Sequence, residues 1–186
     1  MTSFLTYTSL SRKLLFILLS SIIITLVMRP SCHAQEVNEK IVPVFIYNFT
    51  KYIEWPVNTG SEFIIGVVGN TSTEHFDKMS TANQMKGRKI IIKKIHDASE
   101  IDNCQVVYIP TSEAGKLKQY VEACKNKSIL LVSCKAGLIR KGIDINLFVD
   151  EEDKGKTKFE INKGKIESQG MKISKDLLSL AYTILD

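Results

Sequence analysis

Short apolar runs closed by glycine or proline, each leading into a stretch with helical spacing, constrain the fold of this chain most. "FIIGVVG" (63–69), "GRKIIIKKI" (87–95), "NCQVVYIP" (103–110) and "KSILLVSC" (127–134) are short and rich in β-branched residues. They read as buried strands rather than helices. Between them, "NTSTEHFDKM" (70–79) and "SEAGKLKQYVEAC" (112–124) carry helical patterns, the first with Thr71, Ser72 or Thr73 available as its cap. Alternating strands and helices require crossover connections, and hence a parallel sheet covered on both faces.

The ends of the chain modify this picture. "GIDINLFV" (142–149) and "KTKFEIN" (156–162) alternate apolar and polar residues as half-buried strands do, and "ISKDLLSLAYTIL" (173–185) reads as a closing helix capped by Ser174. Before the first strand, Val37, Ile41, Val44, Phe45, Tyr47, Phe49 and Tyr52 recur at helical spacings. Pro43 either kinks that helix or marks its true first turn, and Pro56 ends it at Trp55 or just before. The expected architecture is a single α/β domain over residues 35–186: a Rossmann-like, mixed but mostly parallel sheet flanked by helices, without internal repeat or linker.

Residues 1–34 read as an address. Arg12 and Lys13 precede the apolar run "LLFILLSSIIITLVM" (14–28), and "RPSCHAQE" follows with small residues near Ala34. The run falls short of the roughly 20 apolar residues of a spanning helix, so a cleavable signal peptide and a periplasmic destination are expected. Cys32 lacks the preceding aliphatic residue and the Ala or Gly usual before a lipidated cysteine. Cleavage after Ala34 removes Arg12, Lys13 and Arg29 but no acidic residue, so the net charge of +5 falls to +2. So small a charge gives little footprint for nucleic acid, and Lys86, Arg88, Lys89, Lys93 and Lys94 read as solvated strand and loop positions.

The order "FIYNFTKYIEWP", "FIIGVVG", "GRKIIIKKI", "NCQVVYIP", "ILLVSCKAGLIRKGIDINLFV" and "FEINKGKIESQGMKISKDLLSLA" resembles the YfiR family over about residues 36–184. The aromatic-Trp-Pro opening and the closing FEIN and LLSLA segments carry most of the likeness. The resemblance implies a periplasmic, non-catalytic regulator that acts by contact with a membrane-bound signalling protein. In the best-known systems that protein is a diguanylate cyclase of the YfiN kind, which the regulator represses. A small-ligand module feeding a sensor histidine kinase is the alternative.

The residues suggest no chemistry of their own. Beyond the leader only His75 and His96 occur, in no metal-ligand spacing, so neither a metal nor a cofactor is expected. "GVVGNTS" (66–72) at a strand-to-helix turn lacks the full dinucleotide and P-loop patterns. Cys134 in "LVSCKAG" has no base that the sequence places beside it. Open α/β sheets hold ligands at the C-terminal strand ends, which here means Gly69, Asn70, Pro110, Cys134 and Gly137.

Export leaves three cysteines, an odd number. In a right-handed βαβ unit Cys104 and Cys124 fall toward one sheet edge and Cys134 toward the other, so the expected disulfide is Cys104 to Cys124 with Cys134 free. By the resemblance, Cys104 matches the family cysteine before the third core strand, although that cysteine's usual distant partner has no counterpart here.

"NFTKYIEWP" (48–56) contains the only tryptophan of the chain. Its aromatic residues exceed what one narrow helical face can bury. Most are therefore expected in the core, and Tyr52, Trp55 and Pro56 are the candidates for a contact surface, toward a partner or toward a second copy in a homodimer.

Overall fold

The computed structural model describes residues 36–56 and 60–186. The expected signal peptide lies outside them. Among the described residues no helix is long and apolar enough to cross a membrane.

The chain enters through helix α1 (Val42–Lys51), with Pro43 in its first turn, where the missing N–H has no intrahelical partner to lose. The helix is shorter than the apolar spacing suggested, and Pro43 resolves as a start rather than a kink. A two-residue strand β1 (Ile53–Glu54) follows. Strand β2 (Glu62–Val68) then leads to α2 (Glu74–Ala82), and β3 (Gln84–Met85) turns tightly into β4 (Arg88–Ile95). Strand β5 (Val106–Ile109) is followed by a 3-10 turn (Thr111–Lys116), α3 (Leu117–Ala123) and β6 (Leu130–Ser133). The remainder comprises β7 (Ile145–Asp150), β8 (Lys156–Asn162), α4 (Lys163–Ser168), β9 (Lys172–Ile173), α5 (Lys175–Leu180) and β10 (Thr183–Leu185).

The main sheet runs β10-β8-β7-β6-β5-β2-β4-β3. Pairing is parallel from β4 through β7 and again between β10 and β8, with β7–β8 and β3–β4 antiparallel. This is the mixed, mostly parallel α/β architecture that the sequence implies. The period of two divides each central strand between two apolar layers. Phe63, Ile65, Val67, Val106, Tyr108, Leu130 and Val132 pack beneath α1, α2 and the C-terminal helices. Val68, Val107, Ile109 and Leu131 pack beneath α3 with Leu117 and Tyr120.

Of the three cap candidates for α2, the Ser72 hydroxyl accepts the Glu74 N–H at 3.4 Å, while Thr73, in the cap position, donates its hydroxyl to the Asp77 carboxylate at 2.9 Å. One local expectation needs correction. The closing helix is also shorter than its pattern. Ser174 caps it by accepting from the Leu177 N–H at 3.2 Å, but the chain becomes extended at Ala181 and Thr183–Leu185 join β8. A six-residue helix has little cooperative strength, whereas β-branched Thr183 and Ile184 fit an open sheet edge whose hydrogen bonds begin with Tyr182 N–H to Phe159 O at 2.9 Å.

Candidate functional site

Helix α1 ends at Lys51, and Tyr52 turns the chain into β1. The corner is held from beneath: Ile53 pairs with Ile173 and Glu54 with Lys172 in a second, two-stranded sheet, and the Ser174 N–H donates to Tyr52 O at 2.9 Å. Along α1, Ile46 and Phe49 are buried, and Phe49 stacks on Phe159 with ring centres 5.0 Å apart. Tyr52 is 39% exposed, Pro56 is exposed and Trp55 is half-buried. The three candidates at this corner therefore differ in kind. Tyr52 and Pro56 face solvent, while Trp55 has its indole edge-on to Phe63 at 5.2 Å, a contact of about 0.5–1.5 kcal/mol beyond area burial.

Trp55 also borders a cavity of about 460 Å³, lined in addition by Thr50, Glu54, Gly60, Phe63, Met85, Lys86 and Arg88. The Arg88 guanidinium lies over the Phe63 ring, 4.9 Å from its centre. Burial holds it below the usual arginine range. One Arg88 Nη and the Trp55 Nε1 are buried without a hydrogen-bond partner. A buried donor left unmet costs about 1–3 kcal/mol. Arg88 is thus not the solvated strand position expected from its neighbours in "GRKIIIKKI". The signal lay in the alternation, because Arg88, Ile90 and Ile92 share one face of β4 and the two isoleucines join the layer under α1.

The residues expected to line a crevice at the C-terminal strand ends differ in exposure. Gly69, Pro110 and Cys134 are buried, whereas Asn70 and Gly137 are exposed. Gly69 has φ +82, and its N–H is engaged by Ile95 O at 2.8 Å. A Cβ at Gly69 would overlap the Glu113 carboxylate, so that side chain fills the space beside the turn while pairing with Lys116 at 2.8 Å. The five residues lie at or just beyond the C-terminal ends of β2, β5 and β6.

Cys134 ends β6 with its sulfur 3.0 Å from the Tyr108 hydroxyl and 3.5 Å from that of Thr111. Burial pushes the Tyr108 hydroxyl far above its ordinary range, with Cys134 adding to the effect, so it offers no base. Cys104, Cys124 and Cys134 are all free and buried, which corrects the expected Cys104–Cys124 disulfide. Cys104 and Cys124 do share the layer under α3. The Cys104 sulfur lies beside Gly66, and Cys104 is among the groups that act on the Cys124 thiol, with Asp144, Lys165 and Lys127. Burial raises Cys104 to about 11 and Cys124 to about 12.

Among the described residues, the large apolar side chains left exposed are Val44 and Tyr52 in and just after α1 and Leu180, Tyr182 and Ile184 in the C-terminal segment. Sequence reasoning missed the second group because the apolar spacing there was read as a packed helix. Tyr182 instead meets Phe148 edge-on at 5.2 Å with Lys158 over its ring, leaving more than half of it in solvent. Among the described residues no group of three or more His, Cys, Asp and Glu side chains is arranged to hold a metal ion.

A protein-family model described as YfiR/HmsC-like matches residues 39–182. Among solved structures, a conserved domain protein from Vibrio cholerae O1 biovar El Tor is similar in fold, with a TM-score of 0.57 at 14% identity. That match covers 81% of this chain and 61% of the Vibrio chain, so this chain spans about three-fifths of that protein's length. The ABC domain from Streptococcus pneumoniae, solved with L-Trp, matches at a TM-score of 0.48 and 14% identity, over 66% of this chain and 55% of that one. No curated protein matches the chain.

Proposed function

We propose, from the premise that the chain belongs to the YfiR/HmsC-like family, whose members are periplasmic regulators, that it is an exported, non-enzymatic protein that restrains a membrane-bound signalling protein by direct contact. The partner class this reading favours is a diguanylate cyclase with a periplasmic sensor region, held in its low-output state. The observation that carries the proposal is the distribution of exposed apolar side chains. They concentrate in α1 and its corner (Val44, Tyr52) and in the C-terminal segment (Leu180, Tyr182, Ile184). Large exposed aromatic and aliphatic groups on a backbone held by strand pairing suit a docking surface, because they anchor a partner with little ordering of the chain. The buried, hydroxyl-bound thiol of Cys134 supports contact rather than catalysis.

Chemical crosslinking in intact cells, followed by enrichment of the tagged protein from membranes, tests the proposal. A membrane protein with a periplasmic sensor region is expected among the products, and deletion of the regulator should raise cyclic di-GMP. Recovery of a sensor kinase would retain contact regulation with a different output. Exclusive recovery of soluble enzymes, with unchanged cyclic di-GMP, would overturn the proposal.

A further inference from the structure

A groove of about 550 Å³ runs between the start of α3 and the connection from β6 to β7. Its walls are held by packing. Leu117 and Leu138 share one apolar layer, and the backbone at Gly142 (φ +97) abuts α3, where an added Cβ would come within 2.9 Å of the Val121 side chain. The Lys165 ammonium also donates to Gly142 O at 2.8 Å. Three lysines stand around the groove, Lys118 on α3 and Lys135 and Lys141 on the connection, and all three are exposed. None has a side-chain hydrogen bond or ion pair to any described residue, whereas nearby Lys116 and Lys125 pair with Glu113 and Glu122 at 2.8 and 2.7 Å. Among the described residues Glu122 is the one acid in the lining, and Lys125 already engages it. Like charges gathered without a counter-ion favour an anion between them.

We infer that this groove is a binding site for a small organic phosphate, a dianion held by the ammonium groups of Lys118, Lys135 and Lys141 with its carbon part laid on Ala114, Val121 and Ala136. Charge selects the class. Three uncompensated cations accommodate two negative charges, whereas a single carboxylate would leave two of them unmatched. Donor type agrees, because compact ammonium groups act as point charges toward a tetrahedral phosphate, and the lining offers no guanidinium fork for a planar carboxylate. The groups that would touch the ligand are open to solvent: the lysines and Ala136 are exposed, Ala114 and Val121 are half-buried, and the lysine stems add methylene surface. A concave site between two packed segments suits a small molecule better than a membrane plane, and its preformed walls need little ordering on binding. None of Gly69, Asn70, Pro110, Cys134 and Gly137 lines it, so it is distinct from the crevice that the sequence suggested. It does not depend on the proposed partner, because binding is measurable on the purified protein alone.

The experiment titrates the purified protein calorimetrically with hexyl phosphate, hexanoate and inorganic phosphate at about pH 8, where a phosphate monoester is dianionic. Hexyl phosphate is expected to give a saturable heat that weakens with added salt, and a higher Tm. Hexanoate, with one charge fewer, should bind at least about tenfold more weakly, and inorganic phosphate, without the carbon part, should also bind more weakly. The double variant Lys135→Gln/Lys141→Gln removes two exposed, unpaired side chains, so it should melt like the unaltered protein and lose the preference for hexyl phosphate over hexanoate. Lys40→Gln/Lys175→Gln, which removes two exposed lysines outside the groove, should retain it. Flotation with vesicles of phosphatidylglycerol and phosphatidylcholine separates a free ligand from a lipid headgroup, and the protein should stay unbound. The inference is overturned if hexyl phosphate gives no saturable response, if hexanoate or inorganic phosphate matches it, or if both double variants behave alike. Recruitment to phosphatidylglycerol vesicles in place of a response to hexyl phosphate would make this face a lipid contact and overturn it as well.

Discussion

The ammonium of Lys165, on α4, lies 2.7 Å from the carboxylate of Asp144, a side chain with no solvent exposure at the entrance to β7. The second carboxylate oxygen accepts the Leu131 N–H at 2.6 Å, so one buried acid ties α4 to two adjacent strands. Burial pushes the Asp144 carboxyl upward, while Lys165 and the Leu131 N–H draw it back.

Removing the cation strands the acid. Lys165→Met is expected to destabilise the protein by about 3–5 kcal/mol at neutral pH. Burial is already the larger effect; without Lys165 it is opposed less, the Asp144 carboxyl rises further, and it takes up a proton that the unfolded chain has already released. A group whose folded pKa is raised contributes most below its unfolded pKa, and that contribution is lost as the pH rises. The deficit of the variant should therefore be smaller at pH 5 than at pH 8 in urea melts; an equal deficit at both would show that Asp144 stays ionised.

The thiols predict behaviour at alkaline pH. Cys104 and Cys124 titrate at about 11 and about 12 in the fold, against about 8.5 for an unfolded cysteine. Both folded values are raised, so stability held below about pH 8.5 should fall as the pH climbs toward 11. Cys104→Ala should flatten this slope. Alkylation of the native protein at pH 8 should be slow and should become complete, at all three cysteines, only on denaturation without reductant. A thiol missing from that count would contradict the free-thiol structure.

Tyr52 and Trp55 separate contact from packing. Tyr52→Ala should leave stability within about 0.5 kcal/mol while reducing crosslinking to the membrane partner. Trp55→Ala removes the indole from Phe63 and is expected to cost about 1–3 kcal/mol of stability, so any effect on the partner must be corrected for unfolding. A Tyr52→Ala protein with normal stability and undiminished crosslinking would remove this corner from the docking surface.

At the C-terminal segment, Leu180 is 66% exposed and Ile184 is 42% exposed on the edge strand β10. Leu180→Asp should leave the melting temperature nearly unchanged and weaken partner capture several-fold, since a charge in an apolar contact must be desolvated. Unchanged capture would confine the interface to α1.

Gly69→Ala tests the turn after β2. A side chain at φ +82 is strained, and its Cβ displaces Glu113, so a loss of about 1–3 kcal/mol is expected. Glu113→Ala in the same protein should return part of that loss, measured as a double-mutant coupling by denaturant unfolding. Additive losses would mean that Glu113 does not fill the crevice.

Local chemistry in the sequence was enough to determine the strand and helix alternation and the Ser174 cap, and it narrowed Pro43 to a first turn or a kink. Buried parallel strands must be short and apolar, a proline is tolerated in a first turn, and a serine cap needs only the backbone beside it. Tertiary structure alone decided the contacts between distant segments. The apolar run 181–185 joins β8 because that strand offers an unpaired edge, which no local pattern encodes. Arg88 lies over Phe63 because β2 and β4 are neighbours in register, Phe63 with Ile90, and Cys104 and Cys124 share a layer without bonding. Spacing along a chain fixes which face a side chain takes, but only the packing of the whole sheet fixes what that face meets.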